Sequence, residues 1–119
     1  MNTNPCVEIV FSAMEGDEMR AIELWMLKMI HDKACAEASN TAVVYDEDER
    51  ISGVFLFGNH LGNMLHDSNT FEVNVNTLEA NPSNITMSRL RALGVDVHRK
   101  DNVLYLYGNP LVEIVGRYI

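Results

Sequence analysis

The sequence predicts an α+β fold: a mainly antiparallel sheet built from a duplicated strand–helix–strand–strand unit, with helices packed on it. Three observations lead there. Residues 7–17 (Val-Glu-Ile-Val-Phe-Ser-Ala-Met-Glu-Gly-Asp) line up with residues 71–81 (Phe-Glu-Val-Asn-Val-Asn-Thr-Leu-Glu-Ala-Asn). Residues 54–61 (Val-Phe-Leu-Phe-Gly-Asn-His-Leu) line up with 104–111 (Leu-Tyr-Leu-Tyr-Gly-Asn-Pro-Leu), and the order of the two matches is kept. Such self-similarity reads as a repeat. Each match is followed or preceded by paired β-rich runs around a polar tip, which read as antiparallel hairpins. At 119 residues the chain is one domain, holding two pseudo-symmetric repeats at about 6–66 and 70–118 around a shared core.

The elements follow in order. Residues 7–11 are a short β-rich strand. Asp17 caps a helix running to about Ala38. Its apolar positions Ala21, Ile22, Trp25, Met26, Met29 and Ile30 recur at i, i+3, i+4, while Arg20, Glu23 and Lys28 fall off that stripe. Ser39-Asn40 ends it. Residues 42–45 and 51–57 form a hairpin with the tip Asp46-Glu47-Asp48-Glu49-Arg50. Gly58-Asn59 stops the second strand, and Asn59 caps a short helix through Leu65. Residues 66–70 connect the copies. In 71–76, Phe71, Val73 and Val75 alternate with Glu72, Asn74 and Asn76, as in a half-buried strand. After a turn at 81–84, a helix runs to Leu93 with Thr86, Met87, Leu90 and Leu93 inward and Gly94 as its C′ residue. Residues 95–98 and 103–107 form a second hairpin with its tip at 99–102. Asn109 as cap and Pro110 at the first helical position begin a last short helix, with Leu111, Ile114 and Val115 inward.

The formal net charge is −8, with 11 acids and 4 bases in residues 1–50 against 6 and 5 in residues 51–119. An acidic first half disfavours nonspecific phosphate binding and favours contact with basic surfaces. The two cysteines make no disulfide framework. No signal peptide and no apolar run of membrane-spanning length is visible, so a reducing cytoplasm is the expected setting.

The sharpest contrast between the copies lies at the hairpin tips. The first reads Asp46-Glu47-Asp48-Glu49-Arg50 and the second His98-Arg99-Lys100-Asp101-Asn102. Three uses follow: head-to-tail self-association of oppositely charged tips, a basic wing on nucleic-acid backbone through Arg99 and Lys100 with Arg89 or Arg91, and an acidic loop that occupies a partner's basic groove. Other groupings are weaker. Asp46 and Asp48 lack the glycine and distal glutamate of a calcium loop. His31 and Cys35, one helical turn apart, are too few for zinc. Glu15 and Glu79 recur before each helix, where carboxylates complement a helix N-terminus. Phe55/Tyr105 and Phe57/Tyr107 match between copies and read as sheet packing, or as walls of a ligand groove. No glycine-rich phosphate loop and no nucleophile–base–acid constellation is recognisable.

No motif marks a known family. By element order, the tandem modules resemble the small-molecule-binding fold of gyrase-inhibitor-like proteins, which implies a ligand between the copies. Residues 71–74, the helix ending Leu93-Gly94-Val95 and the following hairpin resemble the double-wing DNA-binding half of a phage middle-promoter activator. The expected function is a non-enzymatic binding or regulatory protein, without cofactor or metal. Asp46, Glu47, Asp48 and Glu49 would meet a basic protein surface, such as that of a nucleic-acid-binding protein. The alternatives are nucleic-acid binding through Arg89, Arg91, Arg99 and Lys100, and a small-ligand module at the pseudo-twofold groove. A homodimer is the default assembly, and no membrane partner is expected.

Overall fold

Helix α1 (Ala21–His31) begins where Glu23 turns back on its own helix start: its Oε1 accepts the Arg20 backbone N–H at 3.1 Å. Here Arg20 is the N-cap residue, and the expected cap Asp17 lies outside the described residues. The computed structural model describes residues 20–113. The helix is shorter than its periodicity suggests, because Lys33 takes a left-handed conformation (φ 55°) just after Asp32. The Lys33 N–H donates to Ile30 O at 3.1 Å and the Ala34 N–H to Met29 O at 3.0 Å. That is a Schellman stop built without glycine. The expected continuation to Ala38 is therefore corrected: the chain turns into strand β1 (Ala36–Ala38).

Five strands follow as an antiparallel meander: β1, β2 (Thr41–Asp46), β3 (Ile51–Leu56), β4 (Asn59–Leu65) and β5 (Thr70–Val73), each paired with its sequence neighbour. The β2–β3 hairpin is where the sequence places it, with Asp46 opposite Ile51 and Val43 opposite Val54. The short helix expected from Asn59 to Leu65 is instead strand β4. The reason is the turn Leu56-Phe57-Gly58-Asn59. Phe57 (φ 52°) and Gly58 (φ 80°) both sit at positive φ, the two-residue hairpin geometry that matches strand twist. Asn59 thus opens a strand opposite Leu56 rather than capping a helix.

Strand β5 is also shorter than expected, because Asn74 caps a new helix, α2 (Val75–Ala80), by accepting the Thr77 N–H at 3.3 Å. Helix α3 (Asn84–Ala92) begins at Ser83, whose Oγ accepts the Thr86 N–H at 3.2 Å. It ends at Gly94 (φ 92°), with the Val95 N–H bonded to Leu90 O at 3.0 Å, as the sequence indicates. Strands β6 (Val97–Lys100), β7 (Val103–Leu106) and β8 (Asn109–Pro110) form a second antiparallel meander. Asn109 and Pro110 pair with Leu106 and Tyr105 rather than starting a helix, and helical residues begin at Leu111.

The fold is α+β, with short helices on two antiparallel sheets. One apolar cluster joins Met26 and Ile30 of α1, Val43, Val54, Leu56, Leu61 and Phe71 of the first sheet, Leu78 of α2, Met87 and Leu90 of α3, and Val97 and Leu106 of the second sheet.

A duplicated unit is not confirmed. Residues 7–11 lie outside the described residues, the sheets have five and three strands, and β4 is no counterpart of a helix. What recurs is local. Leu106-Tyr107-Gly108-Asn109 closes the same kind of turn as Leu56-Phe57-Gly58-Asn59, with Tyr107 at φ 52° and Gly108 at φ 83°. In both turns the aromatic backbone N–H donates at 2.8 Å to the carbonyl oxygen of the residue just before the preceding strand, Asn40 before β2 for Phe57 and Asp96 before β6 for Tyr107.

Candidate protein-binding surface

Strand alternation and register divide the first sheet into two faces. Thr41, Val43, Ser52, Val54 and Leu56 are buried beneath the helices. The opposite face runs in rows across the strands: Glu37, Ala42, Phe55 and His60 in one, Val44, Gly53, Asn63 and Glu72 in the next. Val44 is 49% exposed and Phe57, at the end of this face, 65% exposed. A shallow groove of about 670 Å³ runs between Glu37, Ala42, Val44, Phe55 and Phe57. Phe57 also borders a smaller depression of about 300 Å³ against Pro82 and Ser83, at the turn before α3. His60 is held at the far side, with Nε2 2.9 Å from Asn63 Oδ1, Nδ1 3.3 Å from Asn74 Nδ2, and its ring 5.1 Å from that of Phe55.

The acidic tip stands at one end of this face. Asp46 Oδ1 accepts the Asp48 N–H at 2.9 Å and the Glu49 N–H at 3.1 Å, so this carboxylate shapes the loop. The loop closes with Arg50 at φ 58°, its N–H bonded to Asp46 O at 2.8 Å. The Arg50 side chain leans the other way, Nε to Asp67 Oδ1 at 2.7 Å, and ties this tip to the β4–β5 loop. Glu47, Asp48 and Glu49 are exposed and form no ion pair among the described residues. Between residues 36 and 73 the chain holds seven carboxylates (Glu37, Asp46, Glu47, Asp48, Glu49, Asp67, Glu72) and a single base, Arg50. The first sheet is thus an acidic surface with an apolar strip.

The four basic residues of the alternative reading are not brought together. Arg89 is 2% exposed, and its guanidinium is spent inside: Nη1 to Glu23 Oε2 at 2.7 Å, Nε to Thr41 Oγ1 at 3.1 Å and Nη2 to Asn40 Oδ1 at 3.1 Å. It cannot reach a phosphate, which corrects that assignment. Glu23, read from periodicity as off the buried stripe, is 1% exposed and also accepts the Ser88 hydroxyl at 2.6 Å. Arg91 donates from Nε to Val97 O at 2.9 Å on β6. The Arg99 guanidinium is bonded to Pro82 O, while Lys100 stands exposed opposite Val103. Beside Lys100, His98 lies parallel to Tyr105, ring centroids 5.3 Å apart.

The weaker groupings separate as well. His31 ends α1 and faces Asp32, whereas Cys35 lies beyond the helix stop, 3.3 Å from the Tyr45 N–H it accepts. Glu79 is exposed and Glu15 lies outside the described residues. Among the described residues no three metal-ligating side chains cluster, and no helix is long and apolar enough to cross a membrane.

His66 was missed by sequence reasoning, since its partners are set by register alone. Its Nε2 lies 2.7 Å from the hydroxyl of buried Ser52, and its ring meets Tyr45 edge-on at 5.4 Å. Burial holds its pKa below the usual 6.5, assisted by Lys33 and Arg50 and opposed by Asp67. With a depressed folded pKa, its contribution is complete above pH 6.5 and is lost as pH falls through the folded value. Chemical denaturation should show lower stability at pH 5.5 than at pH 7.5, about one unit either side of the ordinary histidine value. His66→Gln should flatten that slope. An equally steep slope in the variant would contradict the assignment.

A family profile described as Kyanoviridae Gp96 protein matches residues 19–116, most of the 119-residue chain. That description states no activity. No curated protein and no solved structure matches the chain.

Proposed function

We propose that this chain, which belongs to the Kyanoviridae Gp96 protein family, is a non-enzymatic binding protein whose acidic first sheet docks on a basic surface of a protein partner. The observation that carries this reading is the junction of two features on one sheet. Among the described residues Glu47, Asp48 and Glu49 form no ion pair, and on the same sheet a strip of exposed Val44, half-buried Phe55 and exposed Phe57 runs from near this tip to the opposite end of the β2–β3 hairpin. Unpaired rim charges steer encounter and choose the partner, while an apolar centre supplies affinity. A regulator of a nucleic-acid-binding protein fits that chemistry, since such partners carry basic grooves.

The test is retention from extract of infected host cells, with nuclease present, on wild type and on the Glu47→Gln/Asp48→Asn/Glu49→Gln variant. Asp46 is kept because it holds the loop. A protein retained by wild type should be lost, by about tenfold or more, on the variant, with the denaturation midpoint unchanged. Equal retention would sink the acidic-face reading.

A further inference from the structure

We infer that the basic surface this sheet fits is the second sheet of another copy of the same chain, joined head to tail. The inference rests on the protein-binding reading above and names its partner. Five large apolar side chains are exposed among the described residues, and they divide between the sheets. Val44 and Phe57 belong to the acidic first sheet. Val103 and Tyr107 belong to the second, with Val112 just beyond it. At its hairpin tip, residues 99–102, the second sheet carries Arg99 and Lys100 against the single acid Asp101, while His98 beside the tip lies 3.8 Å from Asp96. One molecule therefore bears two hairpins with tips of opposite sign, each with an exposed valine near the tip (Val44, Val103) and an exposed aromatic in the turn at the far end (Phe57, Tyr107).

The two turns add an independent observation. Phe57 and Tyr107 each occupy the first central position of a turn at φ 52°, 65% and 54% exposed. A bulky side chain there costs on the order of 1–3 kcal/mol relative to relaxed backbone, and asparagine or glycine would serve the turn better. Strained, exposed aromatics at the same turn position of each hairpin are what a contact surface needs, since aromatic anchors dominate interface energetics. The two surfaces differ, so the contact is heterologous. Copies joined this way close into a ring or extend as a filament.

Sedimentation velocity of the full chain over a range of concentrations, at low and at high salt, tests this. Wild type should form species larger than a monomer at low salt and dissociate as salt screens the charged tips. Glu47→Lys/Asp48→Lys/Glu49→Lys should be monomeric, and so should Arg99→Glu/Lys100→Glu. Lys100→Glu alone, which leaves the Arg99–Pro82 contact in place, should weaken association in the same direction. An equimolar mixture of the two reversed variants should restore association, because the acidic first sheet of one and the basic second sheet of the other are both native. Phe57→Ala and Tyr107→Ala should each raise the dissociation constant about tenfold or more. A wild type that stays monomeric throughout, or a mixture that fails to pair, would overturn the proposal. A monomeric wild type that still retains an infected-cell protein through Glu47, Asp48 and Glu49 would overturn self-assembly alone and leave the acidic-face reading standing.

Discussion

Replacing Arg89 with methionine should cost about 3–5 kcal/mol of stability, the range seen when one partner of a buried ion pair is removed. The pair with Glu23 lies at 2.7 Å with both side chains 2% exposed. Without the guanidinium, the Glu23 carboxylate loses its counter-charge, and the Thr41 hydroxyl and the Asn40 carbonyl each lose a donor. The Ser88 hydroxyl and the Arg20 N–H would still donate to Glu23, but neither carries charge to it. Replacing both partners together, Glu23→Leu with Arg89→Met, should recover much of the loss, since an apolar pair of similar volume needs no desolvation. Urea denaturation of the single and double variants reads both numbers. A single-variant loss below about 1 kcal/mol would mean that the pair behaves as a surface bridge does.

The second large effect should come from Gly62→Ala, with a loss of about 3 kcal/mol or more. Gly62 sits in β4 at φ 152° opposite Val73. An added Cβ would lie 2.1 Å from the Glu72 carbonyl oxygen and 2.7 Å from Phe71 Cε2. The first neighbour is sheet backbone, and moving it opens the β4–β5 ladder and shifts Phe71 in the core. Gly58→Asn is the control. Gly58 is at φ 80° with open space around it, and asparagine tolerates that conformation, so the change should cost less than about 1 kcal/mol. Thermal or urea unfolding of the two variants side by side decides. Equal, small losses would mean that the strands part at no cost.

These two sites show where the sequence is legible and where it is not. Helix α3 carries its own punctuation, Ser83 before it and Gly94 after it, and the structure uses both. Helix α1 stops at a lysine instead of a glycine, so its end is invisible to residue type and emerges only from the hydrogen bonds to Met29 and Ile30. Gly58-Asn59 is ambiguous: asparagine after glycine suits a helix cap and a hairpin return equally, and pairing with β3 and β5 selects the strand. At the candidate surface, the acidic tip is plain from composition. The apolar strip on the same sheet is not, because Val44 and Phe55 share a face only through register and Phe57 joins them only through the β3–β4 turn. Arg89 shows the converse error. A cation in a sequence looks like surface, and only a carboxylate 66 residues away reveals that it is core.

That separation has a kinetic consequence. Every strand pairs with its immediate neighbour in the chain, so both meanders close through short loops and little chain entropy is spent before contacts repay it. The Glu23–Arg89 bond instead spans 66 residues and fastens α1 to α3 across the first sheet. On a folding path that starts from the local hairpins, a contact of that reach is expected to form late, and a φ-value near zero for Arg89→Met would show it. A late contact governs how long the native state lasts more than how quickly it is reached. Loosening this bond would leave refolding nearly as fast as before and shorten the lifetime of the folded chain.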